Sequence, residues 1–278
     1  MERGGKWMQI TRVSGRVIER STVWVPAGTR EVRRKEKRKG ATTAEKAEEN
    51  GRAAEKNLAR ILNCNFRPGD LLLGPTFSPS AWARLEERAG KLRETMPEAT
   101  EEDLLVRAAE HAGELWIKRI RRAMEKAGRR ELLRYVIVTS DMDGATGQPK
   151  RIHLHAILPA WAGEMAAAAW KNGTVDVQHL REQDDYTPLA RYLLRQVRRR
   201  PGERKWRSAQ GMDRPVVTVT DIPEDRPVKA RKGEVVMQVE AWEPGRPQYM
   251  RTVDLKRKRP AVKRKKIAGR RRRGVSKN

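Results

Sequence analysis

The chain has 278 residues, of which 62 are lysine or arginine and 36 are aspartate or glutamate, so its formal net charge is +26. That length allows one or two domains with a buried core, and the charge favours a polyanionic partner, nucleic acid above all. The sequence has no apolar run long enough to cross a membrane, and its opening MERGGKWMQI lacks the apolar segment of a secretory signal. The single cysteine, Cys64, excludes an internal disulfide and a cysteine-rich zinc site, so we expect an intracellular protein.

Basic residues concentrate in two stretches. Residues 256–278 hold thirteen lysine and arginine residues and no acidic residue, and a second basic run covers residues 30–39. Because like charges repel and apolar side chains are scarce there, we predict that the tail is disordered by itself and binds phosphates; a solubilising or targeting role is the alternative. The sequence predicts four regions: a basic N-terminal segment (1–42), a core (43–214), a small β appendage (215–255) and a disordered basic tail (256–278).

Helical periodicity dominates the first half of the core. Weak strand signals (MQITRV and STVWV) come first, and Thr42 or Thr43 can then cap a helix that runs to about Leu62. The run LLLGPTF predicts a strand, and helices are predicted to begin at Ser80 and after Thr100. The apolar faces of these helices need another layer to pack against.

The second half of the core alternates strands with short helices. LLRYVIVTS (132–140) and RIHLHAIL (151–158) are β-rich runs joined by a turn-rich connection, which predicts an antiparallel hairpin. A short helix, the strand TVDVQ and a helix capped by Thr187 follow, and three more β-rich runs lie beyond Pro201. We predict an α+β fold in which helices cover a largely antiparallel sheet.

Two histidines stand two residues apart in one of the predicted strands. Residues i and i+2 of a strand point to the same face, so His153 and His155 can together hold one divalent cation. Asp141 and Asp143, just after the neighbouring strand, are candidate third ligands, and Mg²⁺ or Mn²⁺ suits such oxygen donors. The alternatives are two polar side chains on a solvated strand face and a plain turn in DMDG.

A later helix supplies a candidate nucleophile, Tyr192. Its phenol can attack a DNA phosphate and become covalently linked, and Arg195, close by on the helix, can steady that phosphate. Gln196 is four residues from Tyr192, shares its helical face and can give an amide oxygen to the cation. Packing in the core is the alternative for Tyr192, and Tyr186 is a competing nucleophile.

An ordered set of motifs over residues 50–215 resembles one known family. The set comprises NFRPGD before a strand ending in TF, the strand RYVIVTSD, the histidine strand RIHLHAIL, WKNGTVDVQHL, the tyrosine helix PLARYLLRQVRR, and RKWRSAQGMDRP. In this order they are similar to the HUH-type rolling-circle replication initiators, closest to the phage and plasmid replication-associated proteins. The resemblance implies an HUH endonuclease core related to RNA-recognition folds, acting in the cytoplasm of a bacterial host.

The family's site residues carry over position by position. The resemblance implies that His153 and His155 bind the metal and that Tyr192 is the nucleophile. Arg195 stands where the family usually has a lysine, and Ser140-Asp141 stands where it usually has a glutamate before the histidines, so the third ligand is open between Asp141 and Gln196. Gly74-Pro75 also interrupts the family's first strand. The residues expected to contact nucleic acid are Arg198, Arg199, Arg200, Trp206 and Arg207.

The resemblance implies rolling-circle initiation. The protein would nick single-stranded or hairpin origin DNA with Mg²⁺ or Mn²⁺, form a 5′-phosphotyrosine, free a 3′-OH for a host polymerase, and later rejoin the strand. A helicase is a further candidate partner, and no membrane is expected. The alternatives are an HUH transposase or relaxase, which differ in their DNA substrate, and a non-catalytic nucleic-acid-binding protein, which forms no covalent adduct.

Overall fold

The computed structural model shows two antiparallel five-stranded sheets and five α-helices within the residues that it describes. The α+β class predicted from the sequence is therefore confirmed. The basic run at 30–39, the predicted caps Thr42 and Thr43, and residues 259–278 lie outside the described part of the chain. The described ranges are 4–27, 44–198, 204–222 and 225–258.

Two helix starts follow local capping chemistry. The Thr100 side chain accepts a hydrogen bond from a backbone N–H one turn on and caps a helix as predicted, whereas Ser78 rather than Ser80 caps the helix before it. The tyrosine helix begins at Thr187 with Tyr186 as its N-cap, one residue earlier than predicted. No helix in the described ranges is both long and apolar enough to cross a bilayer. The helices are α1 (Ala44–Asn65), α2 (Pro79–Arg93), α3 (Glu101–Lys126), α4 (Gly163–Ala169) and α5 (Thr187–Arg195).

The strands belong to two sheets, which we name the terminal sheet and the central sheet. The terminal sheet contains β1 (Gly5–Ser14), β2 (Val17–Pro26), β8 (Val216–Ile222), β9 (Glu234–Val239) and β10 (Tyr249–Asp254) in the order β8-β1-β2-β10-β9. The central sheet contains β3 (Leu71–Pro75), β4 (Val136–Met142), β5 (Pro149–Leu158), β6 (Val175–His179) and β7 (Arg207–Ser208) in the order β6-β3-β5-β4-β7.

Helices cover both faces of the central sheet. Alternate residues of β5 point to opposite faces: Leu154 packs in one core with α2, α3 and α4, and Ile157 packs in the other with α1 and α5. Gly113 of α3 lets that helix lie close to β5, because a Cβ there would be 3.3 Å from Leu154 Cδ1. β5 is thus held from both sides.

The Gly74-Pro75 pair is unusual in an interior strand. It lies where β3 no longer forms hydrogen bonds with β5. β3 pairs with β5 only through Leu71, Leu72 and Leu73, and Gly74 and Pro75 pair with β6 alone. The missing N–H of Pro75 therefore leaves no gap in the ladder to β5. A consequence is that β5 from Pro149 to His155 has a strand on one side only, namely β4.

The predicted β appendage is part of a larger sheet. β8 pairs with β1 and β10 pairs with β2, so the N-terminal hairpin and the C-terminal strands form one unit. The sequence placed residues 1–42 and 215–255 in separate regions, because pairing between strands that are so distant along the chain leaves no local pattern.

Glu19 connects the terminal sheet to α1. Its carboxylate accepts hydrogen bonds from Arg60 Nε (2.6 Å) and Nη2 (2.9 Å), and from the Tyr249 hydroxyl (2.7 Å). Burial would raise the pKa of Glu19, but the hydrogen bonds and charge of Arg60 outweigh it and hold that pKa below its usual value.

We predict that Glu19→Gln lowers the free energy of unfolding at pH 7 by about 2 kcal/mol, since hydrogen bonds to a charged group are lost. Because the folded-state pKa of Glu19 is lowered, its stabilisation is complete above the ordinary value and is lost as the pH falls through the folded-state value. The difference between wild type and variant in urea unfolding should therefore shrink in acid. Glu243→Gln, which removes an exposed ion pair with Arg246, is the control. If the difference in unfolding free energy is the same at low pH, the ionised carboxylate of Glu19 is not the source of the stabilisation.

Candidate functional site

The two histidines of β5 face α5 and meet each other. His153 and His155 are two residues apart in the strand, so both rings lie on the face that carries Ile157. His153 Nε2 and His155 Nε2 are 3.2 Å apart, and their rings pack edge-on with centroids 4.9 Å apart. The strand geometry anticipated from the sequence thus brings two ring nitrogens to one point.

Each ring of the pair has a different environment. His153 Nδ1 lies 3.1 Å from Arg151 O, and since a carbonyl only accepts, the neutral ring carries its proton on Nδ1 and keeps a lone pair on Nε2. Burial, and after it the neighbouring His153, lower the pKa of His155 to about 4, although the Gln196 amide opposes this shift. His155 is therefore neutral at neutral pH.

Gln196, at the end of α5, brings a third donor atom to the same point. Its Oε1 lies 3.2 Å from His155 Nε2, and its Nε2 donates to Tyr192 O at 3.3 Å. That second bond orients the amide, because only the nitrogen can donate to a carbonyl. The buried amide oxygen of Gln196 therefore faces the histidines.

The spacing of these three atoms fits a divalent cation. Two ligands at right angles around a cation about 2.1 Å away are about 3 Å apart, close to both observed separations of 3.2 Å. Two imidazole nitrogens and one amide oxygen form a mixed donor set that Mn²⁺ accepts readily. Within the described ranges, no three side chains of His, Cys, Asp or Glu cluster to hold a metal.

Tyr192 stands beside the histidines. Its ring centroid is 5.8 Å from that of His155 with the planes at 60°, and half of the residue is exposed. The competing Tyr186 is only 3% exposed and packs in the core between α1 and the central sheet. The structure therefore places Tyr192, and not Tyr186, next to the histidine pair.

Asp141 and Asp143 have other partners. Asp141 Oδ1 accepts a hydrogen bond from Arg198 N at 2.9 Å, which fastens the segment after α5 to the end of β4. Asp143 is half-buried, and its Oδ1 accepts from Ala145 N and Thr146 N (2.9 Å each), as in an ordinary Asx turn. Neither carboxylate joins the two histidines in a cluster of described residues.

The β4–β5 hairpin also sets the position of Gln196. Asp141 N and Met142 N both donate to Gln196 O, at 3.0 and 3.1 Å, across a bulge in β4. Gly144 leaves room for the side chain, because a Cβ there would be only 3.1 Å from Gln196 Cγ. The hairpin that carries the histidines thus holds the end of the helix that carries Tyr192.

Ser140 is a member of the site that the sequence did not single out as a ligand. It lies opposite His153 in the β4–β5 register, and side chains in such positions are near neighbours on one face. Its buried hydroxyl has no hydrogen-bond partner among the described residues. Only the register of the hairpin could have identified it in advance.

The basic residues predicted to contact nucleic acid have different surroundings. Arg195 is exposed at the end of α5, and Arg198 lies 3.6 Å from Asp141 Oδ2. Arg207 forms ion pairs with Glu110 and Glu114 of α3, which neutralise much of its charge, and Trp206 packs partly into the core beside α1. Arg199 and Arg200 lie outside the described residues.

Comparisons of the chain with protein-family models, with curated proteins and with solved structures found no match. The resemblance to HUH-type initiators therefore rests on the motifs of the sequence, and the geometry of the site is independent of it.

We predict that Gln196→Ala weakens Mn²⁺ binding by about tenfold, because it removes one of three converging donor atoms. Gln196→Glu should strengthen binding, since a carboxylate adds charge at the same place. Titration of Mn²⁺ followed by the electron paramagnetic resonance of the free ion measures both. Gln178→Ala, on the exposed strand β6, is the control. If Gln196→Ala binds Mn²⁺ like wild type, the third ligand is elsewhere, and Asp141→Ala becomes the next variant.

Proposed function

We propose that this protein is a metal-dependent endonuclease of single-stranded DNA that uses Tyr192 as its nucleophile and initiates rolling-circle replication. One observation carries the proposal: the Nε2 atoms of His153 and His155 and the Gln196 amide oxygen converge beside an exposed tyrosine. A site with two neutral imidazoles, an amide and a neighbouring phenol suits phosphodiester transfer to that phenol.

The metal would be Mg²⁺ or Mn²⁺, held by His153, His155 and Gln196, and it supplies positive charge that polarises a phosphate oxygen. Tyr192 Oη attacks the phosphorus as its proton passes to solvent. The bond from phosphorus to the 3′ oxygen breaks, and that oxygen takes up a proton to become a free 3′-OH. Exposed Arg195, three residues from Tyr192, neutralises charge on the phosphate.

The covalent link preserves the energy of the broken ester. A 5′-phosphotyrosine can be attacked later by a 3′-OH, which restores the DNA phosphodiester and releases Tyr192, so that rejoining needs no nucleotide cofactor. A host polymerase would extend the free 3′-OH in the interval, and a helicase would separate the strands ahead of it. Together these steps amount to initiation and termination of a rolling circle.

The net charge of +26 supports a nucleic-acid substrate. An HUH transposase or relaxase would use the same arrangement, and the DNA sequence that is cut distinguishes these enzymes. A non-catalytic nucleic-acid-binding protein would use the charge alone and would leave the converging histidines and Gln196 without a role.

We predict that the wild-type protein, incubated with Mn²⁺ and a labelled random pool of single-stranded DNA, forms an adduct that survives SDS electrophoresis. Tyr192→Phe should abolish the adduct because it removes the attacking oxygen and keeps the ring. Tyr186→Phe should keep it, because that side chain is buried in the core. Mass spectrometry of the adduct identifies the linked residue.

A variant of the histidine pair distinguishes DNA cleavage from DNA binding. His153→Ala combined with His155→Ala should remove the adduct and leave most of the salt-sensitive DNA binding, since phosphate contacts by basic residues supply that binding. A Tyr192→Phe protein that still forms the adduct refutes the assignment of the nucleophile. If the wild-type protein binds the DNA pool and never forms an adduct, the alternative holds that this is a non-catalytic nucleic-acid-binding protein.

A further inference from the structure

A cavity of about 490 Å³ lies on the face of the central sheet opposite the histidines. Its walls are mainly apolar, and it is in the size range of pockets that take small molecules or single chemical groups of larger ones. It is close to the β4–β5 hairpin, and no step proposed above uses it. The side chains that form its apolar walls are Trp82, Leu105, Val106 and Ile152.

Trp82 gives the cavity a fixed aromatic wall. Its Nε1 donates to Glu86 Oε1 at 2.8 Å, which sets the orientation of the indole, and the residue is only partly buried. The guanidinium of Arg151 lies over the ring at 4.9 Å and is itself held by Phe77 O, to which Nη2 donates at 3.2 Å. An indole that is already oriented loses little freedom when a flat ring packs against it.

Three cationic side chains and two carboxylates, those of Glu102 and Asp141, also line the cavity, so its polar lining has one positive charge in excess. Lys150 and Arg151 are exposed, and Arg198 is partly exposed. Arg198 Nε is buried and has no hydrogen-bond acceptor among the described residues, although it lies 3.6 Å from Asp141 Oδ2. An apolar, aromatic interior with cationic groups at its edge matches a nucleotide, in which a flat base is attached to an anionic backbone.

The cavity and the histidine pair are joined by the open edge of β5. From Pro149 to His155 this strand pairs with β4 only, so its other edge is not covered by a strand. Because alternate residues of a strand point to opposite faces, the Cβ of Arg151 lies on the same face as the histidines. Its long side chain nevertheless brings the guanidinium to Trp82 on the opposite side of the sheet. A DNA strand that crosses this edge beside Arg151 would have one nucleotide near His153 and a neighbouring base near Trp82.

We propose that this cavity is a binding pocket for one unpaired nucleobase of the DNA strand, in which the base packs against Trp82 while Lys150, Arg151 and Arg198 contact the flanking phosphates. The inference rests on the proposed function for its substrate class, single-stranded DNA. It adds a second point of attachment, on the other face of the sheet from the reaction, which fixes the register of the strand at the histidines.

Photocrosslinking tests the location in the unaltered protein. Oligodeoxythymidylates about 15 nucleotides long, each with one 5-iododeoxyuridine at a different position, are bound without metal and irradiated. We expect crosslinking to Trp82, identified by mass spectrometry, to be strongest at one or two adjacent positions. Crosslinks that avoid the residues of the cavity overturn the proposal.

Variants test the contribution to affinity, measured by fluorescence anisotropy of the same labelled DNA. Trp82→Ala should weaken binding by about tenfold, and Trp82→Phe should restore most of it, because a phenyl ring still stacks on a base. Leu105→Trp, which fills the cavity and keeps Trp82, should weaken binding to a similar degree. Trp161→Ala is the matched control, since Arg129 lies over that indole at the same 4.9 Å. Equal loss in both tryptophan variants, or in neither, contradicts the pocket.

Two further comparisons show whether the cavity binds a base of DNA or a free nucleotide, and they distinguish the pocket proposal from the endonuclease proposal. Millimolar deoxynucleoside monophosphate should not displace the oligonucleotide; displacement would assign the cavity to free nucleotides. If Trp82 crosslinks and wild type never forms the covalent adduct, the pocket stands and the endonuclease proposal fails. If wild type forms the adduct and Trp82→Ala binds and reacts equally well, the pocket proposal fails alone.

Discussion

The candidate site depends on how the edge of β4 holds the end of α5. Two backbone N–H groups, those of Asp141 and Met142, donate to the carbonyl oxygen of Gln196, and the Asp141 carboxylate fastens the next turn of chain through Arg198 N. These bonds join a hairpin, which carries the histidines, to a helix, which carries Tyr192. The convergence of the donor atoms at the candidate site therefore depends on this junction as well as on the residues themselves.

The same junction explains why much of the fold and only part of the site followed from the sequence. Strand alternation placed His153 and His155 on one face, and helical spacing placed Gln196 on the side of Tyr192; both are local periodicities that a sequence displays. The choice between Asp141 and Gln196 depends on a bulge in β4, which turns backbone N–H groups toward α5. Bulges, the ion pairs of Arg207 with α3, and the pairing of β1 with β8 arise from tertiary contacts and leave little trace in local sequence patterns.

The distribution of charge in the folded chain separates structural cations from available ones. Arg20 pairs with Glu234 in the interior of the terminal sheet, and Arg60 with Glu19 at its contact with α1, so their charge stabilises the structure. Lys150 and Arg195 are exposed near the β4–β5 hairpin and form no ion pair with another described residue. Net charge alone predicts a polyanionic partner; the placement of these cations shows where on the folded surface the proposed phosphate backbone would meet unneutralised charge.

β5 has a different role on each of its three accessible sides. One face presents the histidine nitrogens to α5. The opposite face contributes Ile152 to the cavity that Trp82 also lines. Arg151 lies on the edge that β3 leaves unpaired. That edge is open because β3 turns away after Leu73, at the Gly74-Pro75 pair that is poorly suited to the interior of a sheet. A strand-interrupting dipeptide in β3 thus leaves this edge of β5 unpaired, and under the proposal the substrate strand crosses the sheet here.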